Sequence, residues 1–392
     1  MYDTLKEKFK THYGREAEYI FSAPGRTELG GNHTDHQLGC VLAAAVNLDT
    51  KAAVAANDKA VINVYSEGYS QISIAINDLA VHPEEKGSTA ALVRGVAAGA
   101  AGTGMALRGF DAYIVSDVLV GSGLSSSAAF EVLIGTIIEF FAGAGHDAVK
   151  VAQLGQYAEN VYFGKPSGLM DQMASSVGNV VAIDFADSTA PCVQPLSFDF
   201  AATGHALCII DSGADHADLT HEYAAIPNEL KNVCAVFGKT HLREVEENEF
   251  YARLAEVRQC AGDRAVLRAI HIFNENRRVQ QQTEALTAGD FDAFLRLVAE
   301  SGRSSWMYLQ NVIPAGSTAN QQLAFALAAA EHLLAGRGAC RVHGGGFAGT
   351  IQAFVPVDML DEFRTGIEAV LGSGKCHILN IRREGGCVLE GI

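Results

Sequence analysis

The chain has 392 residues, of which 48% are hydrophobic, and a formal net charge of −16. Nucleic-acid binding needs basic surface to displace counterions, so we expect no nucleic-acid partner for a protein this acidic. The chain is long for a single hydrophobic core, which predicts two lobes, and its 40 glycines favour a compact architecture of helices and strands.

The first residues and the cysteines indicate the compartment. The N-terminus carries mixed charge before any apolar segment, unlike a secretory signal, and no apolar run reaches the length of about 18 residues that spans a membrane. The 8 cysteines include no close pair at metal-ligand spacing and are typical of buried thiols in a reducing compartment. We therefore expect a cytoplasmic protein with no membrane partner and no obligate protein partner.

The first motif, residues 23–39, concentrates polar side chains and glycines between two apolar runs. Arg26 offers a planar, permanently charged fork that suits phosphate oxygens, whereas His33 and Asp35 suit sugar hydroxyls. The motif therefore predicts a polyol held beside a phosphate. A metallohydrolase site is a weaker alternative, since His33, Asp35 and His36 are potential metal ligands close together in the sequence. A solvated loop position is the simpler interpretation of His36.

A strand over residues 110–115, a turn rich in glycine and serine, and a helix over residues 130–141 follow. Glycines let successive backbone N–H groups converge, and the helix adds the positive end of its dipole, so the turn predicts a phosphate site. No lysine follows the last glycine, which argues against the ordinary P-loop. A plain turn capped by Ser125 is the structural alternative. The candidate phosphate-binding residues are Gly121, Gly123, Ser125, Ser126 and Ser127.

Two carboxylates flank a short loop that contains glycine and proline in residues 159–173. Glu159 lies near the end of an amphipathic helix and Asp171 opens the next helix, so the loop can return both to one pocket. There, one carboxylate can hold a metal while the other handles a proton. The simpler interpretation makes Glu159 a surface acid and Asp171 a helix N-cap.

We place a domain boundary near Ser188, within a turn signal, which divides the chain into residues 1–188 and residues 189–392. We interpret a short basic cluster at Arg277 and Arg278 as a solvated helix face. Alanine and leucine periodicity predicts helices over residues 222–237, 289–301 and 318–334.

A second glycine-rich segment, residues 341–350, precedes a strand-like run over residues 351–355. Its glycines carry no side-chain bulk. They either form a hairpin or let a ligand approach main-chain amides closely.

Together these segments resemble those of the GHMP small-molecule kinases, and most closely the galactokinases. That family carries, in the same order, a Gly-Arg-x-Asn-Leu-x-Gly-Glu-His-x-Asp-Tyr-Asn motif, a Gly-x-Gly-Leu-Ser-Ser-Ser-Ala loop, a Gly-Ile-Met-Asp-Gln segment and a Gly-Gly-Gly-Phe-Gly-Gly segment. The matches here extend over residues 23–350. The resemblance implies an α+β fold of two lobes, the N-terminal one like ribosomal protein S5 and the C-terminal one ferredoxin-like, with the active site between them.

The resemblance also implies an ATP- and Mg²⁺-dependent kinase that phosphorylates the C1 hydroxyl of galactose or a close derivative. Asp171 would be the base at the anomeric hydroxyl, and Arg26 would lie near the transferring phosphoryl group. The implied sugar-binding residues are Asn32, His33, Asp35, His36, Gly168 and Tyr223. The implied nucleotide-binding residues are Gly121, Gly123, Ser125, Ser126 and Ser127, and the implied Mg²⁺ ligands are Ser127 and Glu159.

The chain departs from the family pattern in the first motif. Glu28 stands where the family has Asn, Asn32 where it has Glu, and His36 where it has Tyr. In galactokinases that Glu faces the C6 hydroxyl, whereas an amide or a protonated histidine also suits a C6 carboxylate. Galacturonate is therefore an alternative substrate. A catalytically inactive, sugar-sensing regulator is a weaker alternative.

Overall fold

The computed structural model describes residues 2–119, 123–165, 167–187, 189–214 and 219–391. Its strands are β1 (Tyr19–Gly30), β2 (Cys40–Ala56), β3 (Val61–Ser66), β4 (Ile72–Ala75), β5 (Phe110–Ser116), β6 (Val180–Asp184), β7 (Cys192–Leu196), β8 (His205–Ala214), β9 (Ala339–Val342), β10 (Gly349–Pro356), β11 (Cys376–Leu379) and β12 (Cys387–Gly391). Its helices are α1 (Asp3–Tyr13), α2 (Thr89–Gly102), α3 (Ser126–Ala142), α4 (Ala148–Tyr157), α5 (Met170–Val177), α6 (Thr220–Val236), α7 (Glu247–Ala252), α8 (Leu254–Ala261), α9 (Asp263–Ala288), α10 (Phe291–Ser304), α11 (Gln322–Leu334) and α12 (Leu360–Leu371).

The larger sheet has the strand order β12-β1-β2-β5-β3-β4, and β6 and β7 extend it from β2. The length of β2 explains this branch, because its first half pairs with β6 and its second half pairs with β5. Both β1 and β2 are buried along nearly their whole length. Strands that are apolar on both faces need cover on both sides, and here α2, α3 and α4 pack on one face while α1 packs on the other.

The smaller sheet has the order β11-β8-β10-β9, and α11 and α12 cover one of its faces. Its other face shares a hydrophobic core with the larger sheet. Leu42 and Val180 reach this core from the larger sheet, Leu207 and Phe354 from the smaller one. The two sheets are therefore fixed relative to each other by common packing.

The strand and helix predicted around the serine-rich turn are confirmed as β5 and α3, and the later helices as α6, α10 and α11. A helix was expected around Arg277 and Arg278, but the extent of α9 was not predicted, because buried polar side chains interrupt its apolar pattern. Arg278 lies on α9 and is buried against Glu275, so its interpretation as solvated was wrong.

Ser188, the expected domain boundary, lies outside the described residues, and the division there stays a prediction. Both β7 and β12 follow that position in the chain and belong to the larger sheet. In the part of the chain that the structure describes, we find no helix with the length and apolar character of a membrane span.

A substitution at Phe354 tests the hydrophobic core that the two sheets share. Phe354 is 1% exposed and its ring packs against Phe200, Phe291 and Phe294, with centroid distances of 6.0, 6.2 and 5.3 Å. We expect Phe354→Ala to lower the free energy of unfolding by about 3–5 kcal/mol, because it leaves a cavity in this core. Urea denaturation measures the loss. The control Phe325→Ala, at a side chain 53% exposed, should cost less than about 1 kcal/mol, and equal costs would contradict the shared core.

Candidate active site

Asp171 lies in the first turn of α5 and faces β1 and the turn before α3. Arg26 Nε donates to Asp171 Oδ1 over 2.7 Å, and Ser125 Oγ donates to Asp171 Oδ2 over 2.5 Å. The Arg26 guanidinium also donates to the Gly123 carbonyl. Residues from three of the sequence motifs therefore meet at one carboxylate.

Two simpler interpretations at this carboxylate were wrong. Helix α5 begins at Met170 after Leu169, so Asp171 is not its N-cap. Ser125 precedes α3 but makes no capping hydrogen bond with its side chain, which is directed to Asp171 instead. Both side chains therefore serve the site rather than the helix ends.

The surroundings of Asp171 keep its carboxyl group ionised. Burial by itself raises the pKa of this group, but the charge of Arg26 and the hydrogen bonds from Arg26 and Ser125 outweigh it, so the pKa is lowered. The side chain nevertheless keeps 32% of its surface exposed. The carboxylate is thus a weak base that a ligand can reach.

Glycines bring the turn before α3 close to its neighbours. Gly25 lies at an irregularity of β1, and a Cβ atom there would lie 2.9 Å from the Leu124 carbonyl oxygen. Gly123 has a φ of 75°, and a Cβ atom there would lie 2.9 Å from His343 Nδ1. Since real Cβ atoms do not approach so closely, both positions need glycine. Gly121, another predicted phosphate-binding residue, lies outside the described residues.

A second cluster surrounds Glu159, in the π-helical turn that follows α4. Ser127 Oγ donates to Glu159 Oε1 over 3.2 Å, and Lys165 Nζ donates to the same oxygen over 3.1 Å. Gln172 Nε2 donates to Glu159 Oε2 over 3.1 Å. Glu159 is buried, so its interpretation as a surface acid was wrong.

The sequence analysis missed Glu131, which is fully buried on α3. Gln172 Nε2 donates to Glu131 Oε2 over 2.9 Å, whereas Oε1 has no hydrogen-bond partner among the described residues. Burial, and then the charge of Glu159, raises the pKa of Glu131 well above its ordinary value. The available signal was an acidic residue one helical turn after Ser127 in an otherwise apolar stretch.

Asp35, His36 and His33 lie side by side. The backbone N–H of His36 donates to Asp35 Oδ1 over 2.9 Å, and His36 Nε2 lies 3.1 Å from His33 Nδ1. His33 Nε2 lies 3.0 Å from the Gly345 carbonyl oxygen, which can only accept, so this nitrogen carries the proton. Burial, and then the neighbouring His36, lowers the pKa of His33 to about 3. His33 is therefore neutral and fixed in one tautomer.

Gly168 and Tyr223 reach the same region from two other segments. A Cβ atom at Gly168 would overlap Asp35 Oδ2, so glycine permits this close approach. Tyr223 donates its hydroxyl to the Gly346 carbonyl over 2.8 Å, and burial raises its pKa to about 12. The structure therefore brings His33, Asp35, Gly168 and Tyr223 together beside the glycine-rich segment.

Asn32 is fully buried and its amide is engaged within the protein. Its Nδ2 donates to Glu28 Oε1 over 3.2 Å and to the Gly344 carbonyl over 2.7 Å. Its Oδ1 accepts from Ser305 Oγ over 3.1 Å and from Asn311 Nδ2 over 2.9 Å. Its donors and acceptor are therefore already used within the protein, and its expected role in binding the sugar stays a prediction.

The contact between Asn32 and Glu28 explains the departures in the first motif. Relative to the family motif, this chain has the carboxylate and the amide exchanged between positions 28 and 32, and here the two side chains contact each other. Glu28 also forms a buried ion pair with Arg341. Burial raises the pKa of Glu28, although the charge of Arg341 opposes this. We predict that the two substitutions compensate each other.

The loop that carries Asn32 is held by α9. Glu275 Oε1 accepts from the backbone N–H groups of Gly31 and Asn32 over 3.2 and 3.4 Å. His271 Nε2 donates to the Asn32 carbonyl over 3.0 Å. Burial alone would raise the pKa of Glu275, but Arg278 and other neighbours lower it to about 2. Charged side chains inside a long helical segment are the feature of the sequence that could have identified these positioning residues.

A cavity of about 1090 Å³ opens beside the amino end of α3. Ser126 and Ser127 line it at the start of α3, while Leu92, Val118 and Phe130 add apolar surface. A cavity of this size and mixed lining suits a ligand that has both an apolar part and an anionic part.

Among the described residues, no group of three or more histidine, cysteine, aspartate or glutamate side chains is arranged to hold a metal. The nitrogens of His33 already face His36 and the Gly345 carbonyl. The metallohydrolase alternative therefore finds no support in this part of the chain.

Comparison with known proteins identifies related sequences. Residues 7–56 match the galactokinase galactose-binding signature, and residues 88–179 match the N-terminal domain of GHMP kinases. The chain is 31% identical over 359 residues to a galactokinase of Actinobacillus pleuropneumoniae serotype 5b, which covers 91% of this chain and 90% of the relative. It is 30% identical over 369 residues to a galactokinase of Streptomyces coelicolor, which covers 93% and 92%.

Solved structures share the fold. The crystal structure of Lactococcus lactis galactokinase complexed with galactose superposes with a TM-score of 0.81 at 26% identity, covering 98% of this chain and 99% of the other. A Methanococcus jannaschii mevalonate kinase has a TM-score of 0.66 at 13% identity, covering 94% and 100%, which shows a common fold alone. The expected fold of the GHMP kinases is thereby confirmed.

The exchange between Glu28 and Asn32 can be tested by a double-mutant cycle. Asn32→Glu places a second buried carboxylate beside Glu28, and we expect it to cost about 3–5 kcal/mol of unfolding free energy. Glu28→Asn leaves Arg341 without its partner and should also destabilise. In the double variant the carboxylate and the amide face each other again, so the double loss should fall short of the sum by at least about 1 kcal/mol. Additive losses in urea denaturation would contradict the compensation.

Proposed function

The chain belongs to the galactokinase family of the GHMP kinases, and from that membership we propose that it transfers the γ-phosphoryl group of ATP to the C1 hydroxyl of galactose. The observation that carries the proposal is the contact of Asp171 with Arg26 and Ser125. This contact joins the turn before α3 to the first motif, which also contains Asp35. A phosphoryl donor and a sugar acceptor need such adjacency for in-line transfer.

ATP is the phosphoryl donor in this family, and the cavity beside α3 suits it. Its apolar lining would take the base, and the part lined by Ser126 and Ser127 would take the phosphates. Helix α3 begins at Ser126, so its unpaired N–H groups and dipole favour negative charge there. Gly123 and Ser125 precede this helix end and would contact the same phosphates.

Mg²⁺ would be held by Ser127 and Glu159. Both side chains supply hard oxygen atoms, and a cation, Lys165 Nζ, already lies on Glu159 Oε1. This donor set fits Mg²⁺, which often takes only one or two protein ligands and completes its shell with phosphates and water. When bound, the ion would neutralise charge on the phosphates. Gln172 keeps the second oxygen of Glu159 in place.

Asp171 and Arg26 would perform the chemistry at the sugar. The lowered pKa of Asp171, which Arg26 maintains against burial, makes the carboxylate a weak base towards a free hydroxyl. Asp171 would therefore accept the proton late, as the bond to phosphorus forms and the hydroxyl becomes acidic. Arg26 would stabilise the charge on the equatorial phosphoryl oxygens.

The sugar would lie against Asp35 and Gly168. Asp35 would accept hydrogen bonds from ring hydroxyls, and the absence of a side chain at Gly168 leaves its backbone close to that carboxylate. His33 and Tyr223 already bind carbonyls of the glycine-rich segment, so we assign them to positioning its backbone beside the sugar. Asn32 would act through Glu28 and Gly344, and His36 through Asp35 and His33.

Release of ADP tests the proposal. We expect turnover with Mg²⁺-ATP and galactose, and much weaker turnover with galacturonate, N-acetylgalactosamine, glucose or arabinose. The buried Asn32 amide gives a C6 carboxylate no contact that a C6 hydroxyl lacks. A preference for galacturonate would overturn the assignment of galactose. The absence of turnover with every sugar would favour a sugar-sensing regulator that lacks catalytic activity.

Asp171→Asn tests the proposed base. We expect kcat to fall by about 100-fold or more, because the amide cannot accept the proton, while affinity for Mg²⁺-ADP changes little. The exposed Asp358→Asn, which removes a surface pair with Arg337, serves as a matched control with unchanged kcat. Retention of more than about a tenth of wild-type kcat by Asp171→Asn would contradict the role.

A further inference from the structure

The ammonium group of Lys165 lies where the phosphate-binding turn meets the proposed metal ligands. Its Nζ is 3.1 Å from Glu159 Oε1, the same oxygen that accepts from Ser127. The Lys165 side chain is 57% exposed, whereas that of Glu159 is 4% exposed. One partner of this pair is thus fixed inside the protein, and the other reaches it from solvent.

We propose that Lys165 is a further phosphate-binding residue, which leaves Glu159 and contacts the terminal phosphates when the Mg²⁺ complex of ATP binds. This inference rests on the proposed function and adds to it. Neither the resemblance nor the relatives described above assigned a role to this lysine.

The charge balance of the site supports this role. The chain carries a net charge of −16, so a nucleotide needs local positive charge to bind. Around the turn, Asp171 pairs with Arg26 and Glu159 pairs with Lys165. Among the described residues, Arg26 and Lys165 are the basic side chains that contact these two carboxylates. Of these two cations, Arg26 is buried and held by fixed partners, whereas Lys165 is exposed and can change partner.

The chemistry of Glu159 Oε1 favours such a change. That oxygen cannot keep the ammonium group as a close partner while it also ligates a divalent cation, because the two cations repel each other. Phosphate oxygens arrive with the metal and give the displaced ammonium group a new anionic partner. A lysine side chain is flexible and reorients at low cost when it is exposed.

The position of the segment fits this exchange. Phe163 and Gly87 line the same cavity as Ser126 and Ser127, and Lys165 follows Phe163 closely in the chain. The ammonium group shares Glu159 Oε1 with the hydroxyl of Ser127, a residue that lines this cavity, and so lies near its serine lining.

Nucleotide binding measured by calorimetry tests the proposal without turnover. The probes are the Mg²⁺ complexes of ADP and of the non-hydrolysable β,γ-imido analogue of ATP, together with AMP. We expect Lys165→Met to weaken binding of the triphosphate analogue by about tenfold or more, because the lost hydrogen bond is charge-assisted. Binding of ADP should weaken less, and binding of AMP should not change. Lys165→Arg should restore most of the affinity. Lys375→Met removes a lysine–carboxylate pair on the smaller sheet and should change nothing.

The opposite outcome is equally defined. If Lys165 only neutralises Glu159, its removal frees that carboxylate for the metal, so Lys165→Met would bind the triphosphate analogue as tightly as wild type or more tightly. Either result overturns the proposal. Thermal unfolding of each variant verifies that the chain is folded, which the exposure of Lys165 favours. Failure of the proposed function is distinguishable, since it would appear as wild-type protein that binds nucleotide but phosphorylates no sugar.

Discussion

The geometry of the site depends on how one buried guanidinium group is satisfied. Arg26 is 6% exposed and donates to Asp171 and to the Gly123 carbonyl. An unpaired charge in such a position would cost several kcal/mol, so the strand, the glycine turn and α5 are constrained to the arrangement that supplies these partners. The contact that stabilises the fold would therefore also define where a phosphoryl group and a hydroxyl can meet in the proposed reaction.

A second constraint is electrostatic. Asp171 and Glu159 each have a cation on them, whereas burial, and then the charge of Glu159, raises the pKa of Glu131. This balance would let an acidic protein admit a polyanion. It also separates two kinds of cation: Arg26 is buried and would orient the reacting groups, whereas Lys165 is exposed and, in our proposal, exchanges its partner.

The sequence predicted the local parts of this site and not the long-range ones. Glycine and serine chemistry located the turn before α3, because a turn and a helix start are encoded by adjacent residues. The buried network was not predictable in this way. Glu275 meets Gly31 across 244 positions and Arg341 meets Glu28 across 313, and only tertiary packing decides such meetings. The partners of Asn32 were not predictable for the same reason, since most of them come from distant segments.

Because Glu28 and Asn32 are exchanged relative to the family motif, their departure from that motif does not by itself identify the substrate. A carboxylate–amide hydrogen bond is satisfied in either order, provided that a cation accompanies the carboxylate when it is buried. Arg341 is that cation here, and it also donates to the Leu29 carbonyl over 3.1 Å, which fixes it beside Glu28. The altered residues thus form a self-consistent layer behind the site. In the proposed site, selectivity for the sugar would then lie with Asp35 and the backbone at Gly168, which this chain shares with the family pattern.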